Sequence, residues 1–213
     1  MTTIRRAVAA LTLIGAILAA GAVAAMTAEQ QQALAAISQK FRGIGTMNGE
    51  FVQFGPSGER TQGKFYIERP GKVRFQYDPP TTVSVIADGD SVLIHDRRLQ
   101  TYDLVPLSQT PLRFLLDSNL DLTRFDKVRS VEVEPDLIQV VIVDDARFAG
   151  GRLTLFFDKG THELRQWTVT DQQGLDTSVA IYNVETGNRL SADLFKINYS
   201  AVTTTARERR QRR

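Results

Sequence analysis

The sequence predicts a mainly β, α+β fold: one large antiparallel sheet of about eleven strands, with two or three helices laid over one face. Three observations predict it. Short β-like runs recur from Thr46 to Val184, most of them separated by Gly, Pro, Asn or Asp. Their joins are too short for the crossovers that parallel strands need, so neighbours form an antiparallel meander. One amphipathic helical pattern precedes every strand, and a short apolar one interrupts them.

Residues 1–25 have the anatomy of a secretory signal peptide. Arg5 and Arg6 precede the apolar run Ala7 to Ala20, and small residues ending in Val23-Ala24-Ala25 offer a cleavage site before Met26. The run is shorter than the ~20 residues a spanning helix needs, which predicts removal near Ala25 and an exported protein, most simply in a bacterial periplasm. Met26 to Gly45 then reads as the best helix of the mature chain: Thr27 can cap it, and Leu34, Ile37 and Phe41 recur at spacings of three and four.

The expected strands are 46–54, 61–69, 72–78, 82–87, 91–95 and 99–104, followed by 127–133, 137–143, 152–158, 163–170 and 175–184. Turn chemistry marks the joins at Arg69-Pro70-Gly71, Asp88-Gly89 and Asp171 to Gly174. Between the two sets, Thr110 and Pro111 open a short helix through Leu116, with Thr as N-cap and Pro at the first helical position. Residues 26–205 are expected to form one domain, and 206–213, without a large apolar residue, a disordered basic tail.

The formal charge of +2 conceals an acidic body. From 26 basic and 24 acidic residues, the signal removes two arginines and the tail five arginines and Glu208, leaving 19 against 23. That balance excludes a globally basic nucleic-acid binder. The tail arginines could each gain ~1 kcal/mol at an anionic bilayer surface. With no cysteine in the sequence, disulfides, thiol chemistry and a lipid-modified cysteine are all excluded.

Motifs for catalysis and cofactors are not found. His95 and His162 are the only histidines, which argues against a histidine-rich metal centre. Gly58 to Lys64 matches the start of a phosphate loop, but Phe65 stands where a hydroxyl would ligate magnesium and a strand follows instead of a helix, so the glycines read as hairpin residues. Asp88/Asp90, Asp144-Asp145 and Asp171/Asp176 sit beside turn signals and read as solvated turn residues. No Gly-x-Ser-x-Gly elbow occurs. The expectation is a protein that is not an enzyme and holds no cofactor and no metal.

Arg69 is the residue that asks for an explanation. At period two it shares a strand face with Phe65 and Ile67, and Val73, Phe75 and Tyr77 occupy one face of the next strand. A guanidinium on an apolar face costs several kcal/mol unless its donors find partners. Two readings meet this demand: bonds to carbonyls at the ends of covering helices, or a strand-end side chain that runs out to water beside Pro70.

The order of parts resembles the LolA-type periplasmic carriers of outer-membrane lipoproteins. The resemblance rests on Gly49-Glu50-Phe51-Val52-Gln53, Gly63 to Phe75, Tyr77-Asp78-Pro79-Pro80, Val85 to Gly89 and Thr110-Pro111, after a signal peptide and an amphipathic helix. It covers most of residues 30–185; the arginine tail lies outside the family pattern. The resemblance implies an incomplete antiparallel β-barrel of about eleven strands, closed by a helical lid over a hydrophobic cavity for lipoprotein acyl chains. It places the lid latch at Arg69 and the acyl-chain cavity at Phe51, Phe65, Ile67, Val73 and Phe75, with Leu34, Ile37 and Phe41 on the first helix and Phe114 and Leu115 on the second. Implied partners are acylated lipoprotein cargo, an inner-membrane ATP-driven lipoprotein-releasing complex, and an outer-membrane receptor or the outer membrane itself, with the carrier a monomer. A carrier of phospholipid or hopanoid, an envelope hydrolase, or a β-rich interaction module with a solid core are the alternatives.

Overall fold

The computed structural model describes residues 26–144 and 151–203; the expected signal peptide and basic tail lie outside the described residues. Helix α1 spans Ala28–Arg42. A capping box starts it: the Gln30 amide donates to Thr27 Oγ1 at 3.2 Å and the Thr27 amide donates to Gln30 Oε1 at 2.8 Å. Glu29 in the first turn and Lys40 and Arg42 in the last complement the helix dipole. The helix ends three residues before the expected Gly45, at a Gly43 whose amide returns to the Lys40 carbonyl at 3.1 Å. Ala33, Leu34, Ile37, Ser38 and Phe41 form its buried face.

Strands β1 (Thr46–Phe54), β2 (Arg60–Glu68), β3 (Lys72–Tyr77), β4 (Val83–Asp88), β5 (Ser91–Asp96) and β6 (Thr101–Pro106) form one set. Strands β7 (Val128–Val133), β8 (Leu137–Asp144), β9 (Gly151–Asp158), β10 (Leu164–Thr170) and β11 (Asp176–Thr186) form the other. All neighbours are antiparallel, in the order β6-β5-β4-β3-β2-β1-β11-β10-β9-β8-β7. Thus β1 and β11 join the two meanders, while β6 and β7 end an unclosed sheet. This is an incomplete barrel with a helical lid, and the core lies between its concave face and the helices.

Two glycines permit its tight curvature. Opposite Gly49 the register of β11 slips between Glu185 and Tyr182, where Asn183 takes φ 50°. A side chain on Gly49 would crowd the Tyr182 and Asn183 carbonyls, each 2.9 Å from its Cβ. Gly63 faces Phe51 on β1 and Tyr77 on β3, and a Cβ there would run into the Gln76 carbonyl.

After β6 come a 3₁₀ turn, Leu107–Gln109, and the one-turn helix α2, Leu112–Leu115. Thr110 does have an extended, cap-like backbone, but its hydroxyl donates backward to Leu107 O at 3.0 Å and caps nothing. The preceding 3₁₀ turn captured the side chain first. Past β11, a second 3₁₀ turn (Ala192–Phe195) packs on the convex face of β3 and β4. Phe195, Ile86 and Leu93 are buried outside the main core, and Tyr199 Oη donates to Asp88 Oδ2 at 2.7 Å.

Candidate functional site

Strand register assembles the concave face in rows. Phe65, Phe75, Val85 and Ile94 stand side by side across β2 to β5; Ile67, Val73, Ala87 and Val92 form the adjacent row. Because Gly63 carries no side chain, the Phe51 and Tyr77 rings on either side of it meet edge to face, with centroids 5.1 Å apart. Phe75 touches both, and Trp167 of β10 lies 6.1 Å beyond it. Phe41 of α1 meets Phe157 of β9 edge to face at 6.0 Å, and α1 packs beside β7. Leu34, Ile37 and Phe41, with Phe114 and Leu115 of α2, are buried in the same cluster as these rows. All ten apolar residues expected at the site belong to one buried cluster.

The expected strand residues all come from the first meander. The second contributes as much: Trp167, Phe157, Leu153, Leu155, Val140 and Ile142 are fully or almost fully buried in the same cluster. Apolar residues recurring at every second position, 138 to 142 and 153 to 157, were the signal that could have found all of these but Trp167.

Arg69 lies one residue past β2 and is 8% exposed, so the reading in which its head runs to water does not hold. Its Nη2 donates to the Phe41 and Ile44 carbonyls at the end of α1, and its Nη1 to Asp117 O, just after α2, at 3.4 Å. The guanidinium also sits 4.3 Å from the centre of the Phe41 ring. One side chain therefore grips both helical covers. Burial depresses its pKa to about 10, only partly opposed by the Asp117 carboxylate, and it stays charged at neutral pH. Burial likewise pushes Tyr77 up to about 12, although its hydroxyl donates to Gln53 Oε1 at 2.7 Å.

Further polar ties hold the covers, among them Gln30 Nε2 of α1, which donates to Val131 O of β7 at 2.6 Å, and Lys40 Nζ, which donates to Thr161 O at 2.8 Å. Ser38, buried on α1, donates to Leu34 O and accepts from the Leu122 amide at 2.9 Å, joining α1 to the segment after α2. Asp144 corrects the expectation of a solvated turn acid: its carboxylate is fully buried, bonded to Arg113 of α2 and to Lys127 Nζ at 2.8 Å. An acid at the end of β8 found cations on two neighbouring segments, which a run of turn residues does not reveal. Asp88 and Asp171 do act as turn acids: Asp88 Oδ1 accepts from the Asp90 and Ser91 amides and Asp171 Oδ1 from those of Gln173 and Leu175. Asp176 instead opens β11 and accepts from the Thr170 hydroxyl, and Asp145 lies outside the described residues.

The cover is incomplete at one end. Along the first row exposure rises from 0% at Phe65 and 5% at Phe75 to 42% at Ile94, and Val105 beside Val92 is 39% exposed. A smaller cleft of about 160 Å³ opens beside the end of α1, between Phe41, Ile44, Met47, Leu164 and Val184. The arrangement offers a continuous apolar face, a two-part cover and polar ties that can be undone singly. Among the described residues no group of three His, Cys, Asp or Glu side chains could hold a metal ion.

Comparison with known proteins gives a family match over most of this structure: the family described as "Outer membrane lipoprotein carrier protein LolA" matches residues 42–198. The chain is 27% identical over 160 residues to an outer-membrane lipoprotein carrier protein of Dechloromonas aromatica, covering 71% of this chain and 76% of that one. It is 25% identical over 162 residues to the protein of the same description in Methylococcus capsulatus, covering 72% and 77%. Among solved structures, a LolA superfamily protein from Nitrosomonas europaea superposes with a TM-score of 0.41 at 8% identity, over 80% of this chain and 99% of that one.

Proposed function

We propose, on the premise that this chain belongs to the LolA family of outer membrane lipoprotein carrier proteins, that its lidded sheet face takes up the acyl chains of lipoproteins released from the inner membrane and carries them across the periplasm. Arg69 carries the proposal: a buried cation bonded to carbonyls at α1 and after α2 fixes the lid over an otherwise apolar interior.

Three acyl chains of about sixteen carbons would gain on the order of 35 kcal/mol on leaving water, at ~0.8 kcal/mol per methylene. Affinities saturate near ~20 kcal/mol, and a carrier must also let go. In the closed protein Phe51, Phe65, Ile67, Val73 and Phe75 of the sheet and Leu34, Ile37, Phe41, Phe114 and Leu115 of the covers are buried in one cluster. Cargo must separate these layers and break the Arg69 bonds. Part of the transfer energy thus goes into opening, and reclosure helps expel the cargo at delivery. The Ile94 end, where the apolar rows reach solvent, offers a first contact for a chain.

The same reading makes the protein a monomeric carrier without catalytic chemistry. It receives cargo from an ATP-driven releasing complex in the inner membrane and gives it to a receptor or directly to the outer membrane, after cleavage of the signal peptide near Ala25. The close packing under the lid is also what an interaction module with a solid core would have, and one experiment separates the two. Native mass spectrometry with a triacylated lipopeptide and its deacylated control should give a one-to-one complex with the acylated form alone. A phospholipid carrier would instead retain phospholipid in preference to the lipopeptide. A solid-core module would bind neither.

A further inference from the structure

The convex face carries a cluster of cations that lid and cargo do not use. Side chains alternate along a strand, so the residues between those of the apolar rows point outward. Gln76, Ser84, His95 and Tyr102 stand in one outward row across β3 to β6, and Arg74 lies in the next row beside Ile86. Arg97, two residues beyond His95, is held against this end of the sheet by its amide, which donates to Thr82 O at 3.1 Å.

These cations have no carboxylate partner. No ion pair joins Arg74 or Arg97 to an acid among the described residues. Asp96, the acid nearest in sequence, spends its Oδ1 on the Thr82 hydroxyl and on the amides of Arg98 and Leu99. Nε of Arg74 and Nε2 of His95 are both sealed from solvent with no hydrogen-bond partner. Buried polar atoms are rarely left unmet, and here two lie in one cluster. The imidazole cannot turn freely to find a partner, because it stacks on the Tyr102 ring at 4.1 Å and 14°. After burial, Arg97 is the next cause depressing the pKa of both Arg74 and His95, opposed by Tyr66 at the first and by the Asp96 carboxylate at the second.

We infer that Arg74, His95 and Arg97, with the hydroxyls of Ser84 and Tyr102, form a binding site on the convex face for a phosphate group. Two guanidiniums and an imidazole, from β3, the turn after β5 and β5 itself, suit a tetrahedral oxyanion of more than one charge better than a carboxylate, which a single guanidinium already satisfies by a paired bond. The bound anion would accept from the remaining guanidinium donors of Arg74 and Arg97 and relieve the repulsion between them.

The test titrates the whole chain with inorganic phosphate at constant ionic strength, following the imidazole signals by NMR, with His162→Gln to assign His95. A saturable shift of His95 is expected, weakened roughly tenfold or more in Arg97→Gln and in Arg74→Gln. Arg97 is exposed, so its variant should fold even where Arg74→Gln does not. If the same variants also lower retention on phosphatidylglycerol vesicles relative to phosphatidylcholine, the phosphate is a lipid headgroup. If vesicle retention is unchanged while phosphate binding falls, it is a soluble phosphate. No saturable shift, or one unaltered in both variants, overturns the site. Neither result touches the acyl-chain proposal, which rests on the opposite face.

Discussion

Replacing Arg69 by Leu removes the one side chain that bonds to both covers. Hydrogen bonds to a charged group are worth ~1.5–3 kcal/mol each, so the three seen here represent roughly 4–9 kcal/mol before the cost of burying the cation. Burial returns several kcal/mol of that, and leaves on the order of 3 kcal/mol favouring a closed lid. Leucine adds apolar contact, while the freed carbonyls sit at helix ends within reach of water once the segment shifts. Global stability should therefore fall by no more than about 3 kcal/mol, or ~10 °C in Tm for a domain of this size. Cargo release should suffer more. If reclosure contributes about 3 kcal/mol to expulsion, its loss slows transfer roughly 100-fold. The assay loads wild type and variant with a fluorescent triacylated lipopeptide and follows its passage to acceptor vesicles. A variant that loads normally and delivers within about twofold of the wild-type rate would show that Arg69 does not govern the lid.

Three other expectations can be checked on the same protein. Trp167, the only tryptophan, is buried 6.1 Å from Phe75, so the lipopeptide should change its fluorescence saturably at one equivalent; a silent Trp167 in a proven complex would put the acyl chains elsewhere. Asp144→Asn leaves Arg113 and Lys127 without their buried carboxylate and should cost about 3 kcal/mol, lowering Tm by ~6–12 °C; a Tm within ~2 °C of wild type would mean the pair is dispensable. Tyr77 should ionise near pH 12, later than exposed tyrosines, in an ultraviolet titration. Because its folded pKa lies above the unfolded value, its contribution is complete below pH ~10 and declines as pH rises through about 12, and Tyr77→Phe should remove that part of the alkaline loss. A titration without a late phenol would contradict the burial of Tyr77.

The sheet was legible in the sequence because period-two alternation and turn residues act locally. Each of the eleven expected strands exists, with ends within about two residues of those expected, and Thr27 caps α1. Gly63 reads as a hairpin residue in the sequence but lies inside β2, and nothing local marks it or Gly49 as a position that must lack a side chain. Their need for a missing side chain comes from the Gln76 and Tyr182 carbonyls of neighbouring strands. The same limit hid Asp144. Its cations lie 31 residues back on α2 and 17 back at Lys127, and such separations leave no pattern in sequence. Arg69 fell between these cases: its conflict with Phe65 and Ile67 was visible, whereas its acceptors were one of two possibilities until Phe41, Ile44 and Asp117 were placed around it.

The polar ties also explain how one interior could be both tightly packed and able to open. Apolar contact between the sheet and its covers is diffuse, so any cargo that replaces it with acyl contact loses little by prising the layers apart. Direction has to come from bonds that an acyl chain cannot replace. Those bonds include Arg69 at the ends of both helices, Ser38 to the Leu122 amide, Gln30 to the Val131 carbonyl, and Arg113 to Asp144. On the proposed carrier reading each would be lost or kept as a unit, which would make the cover bistable. A solid-core protein with the same strands would need none of them, since apolar side chains at those positions would close it at least as firmly.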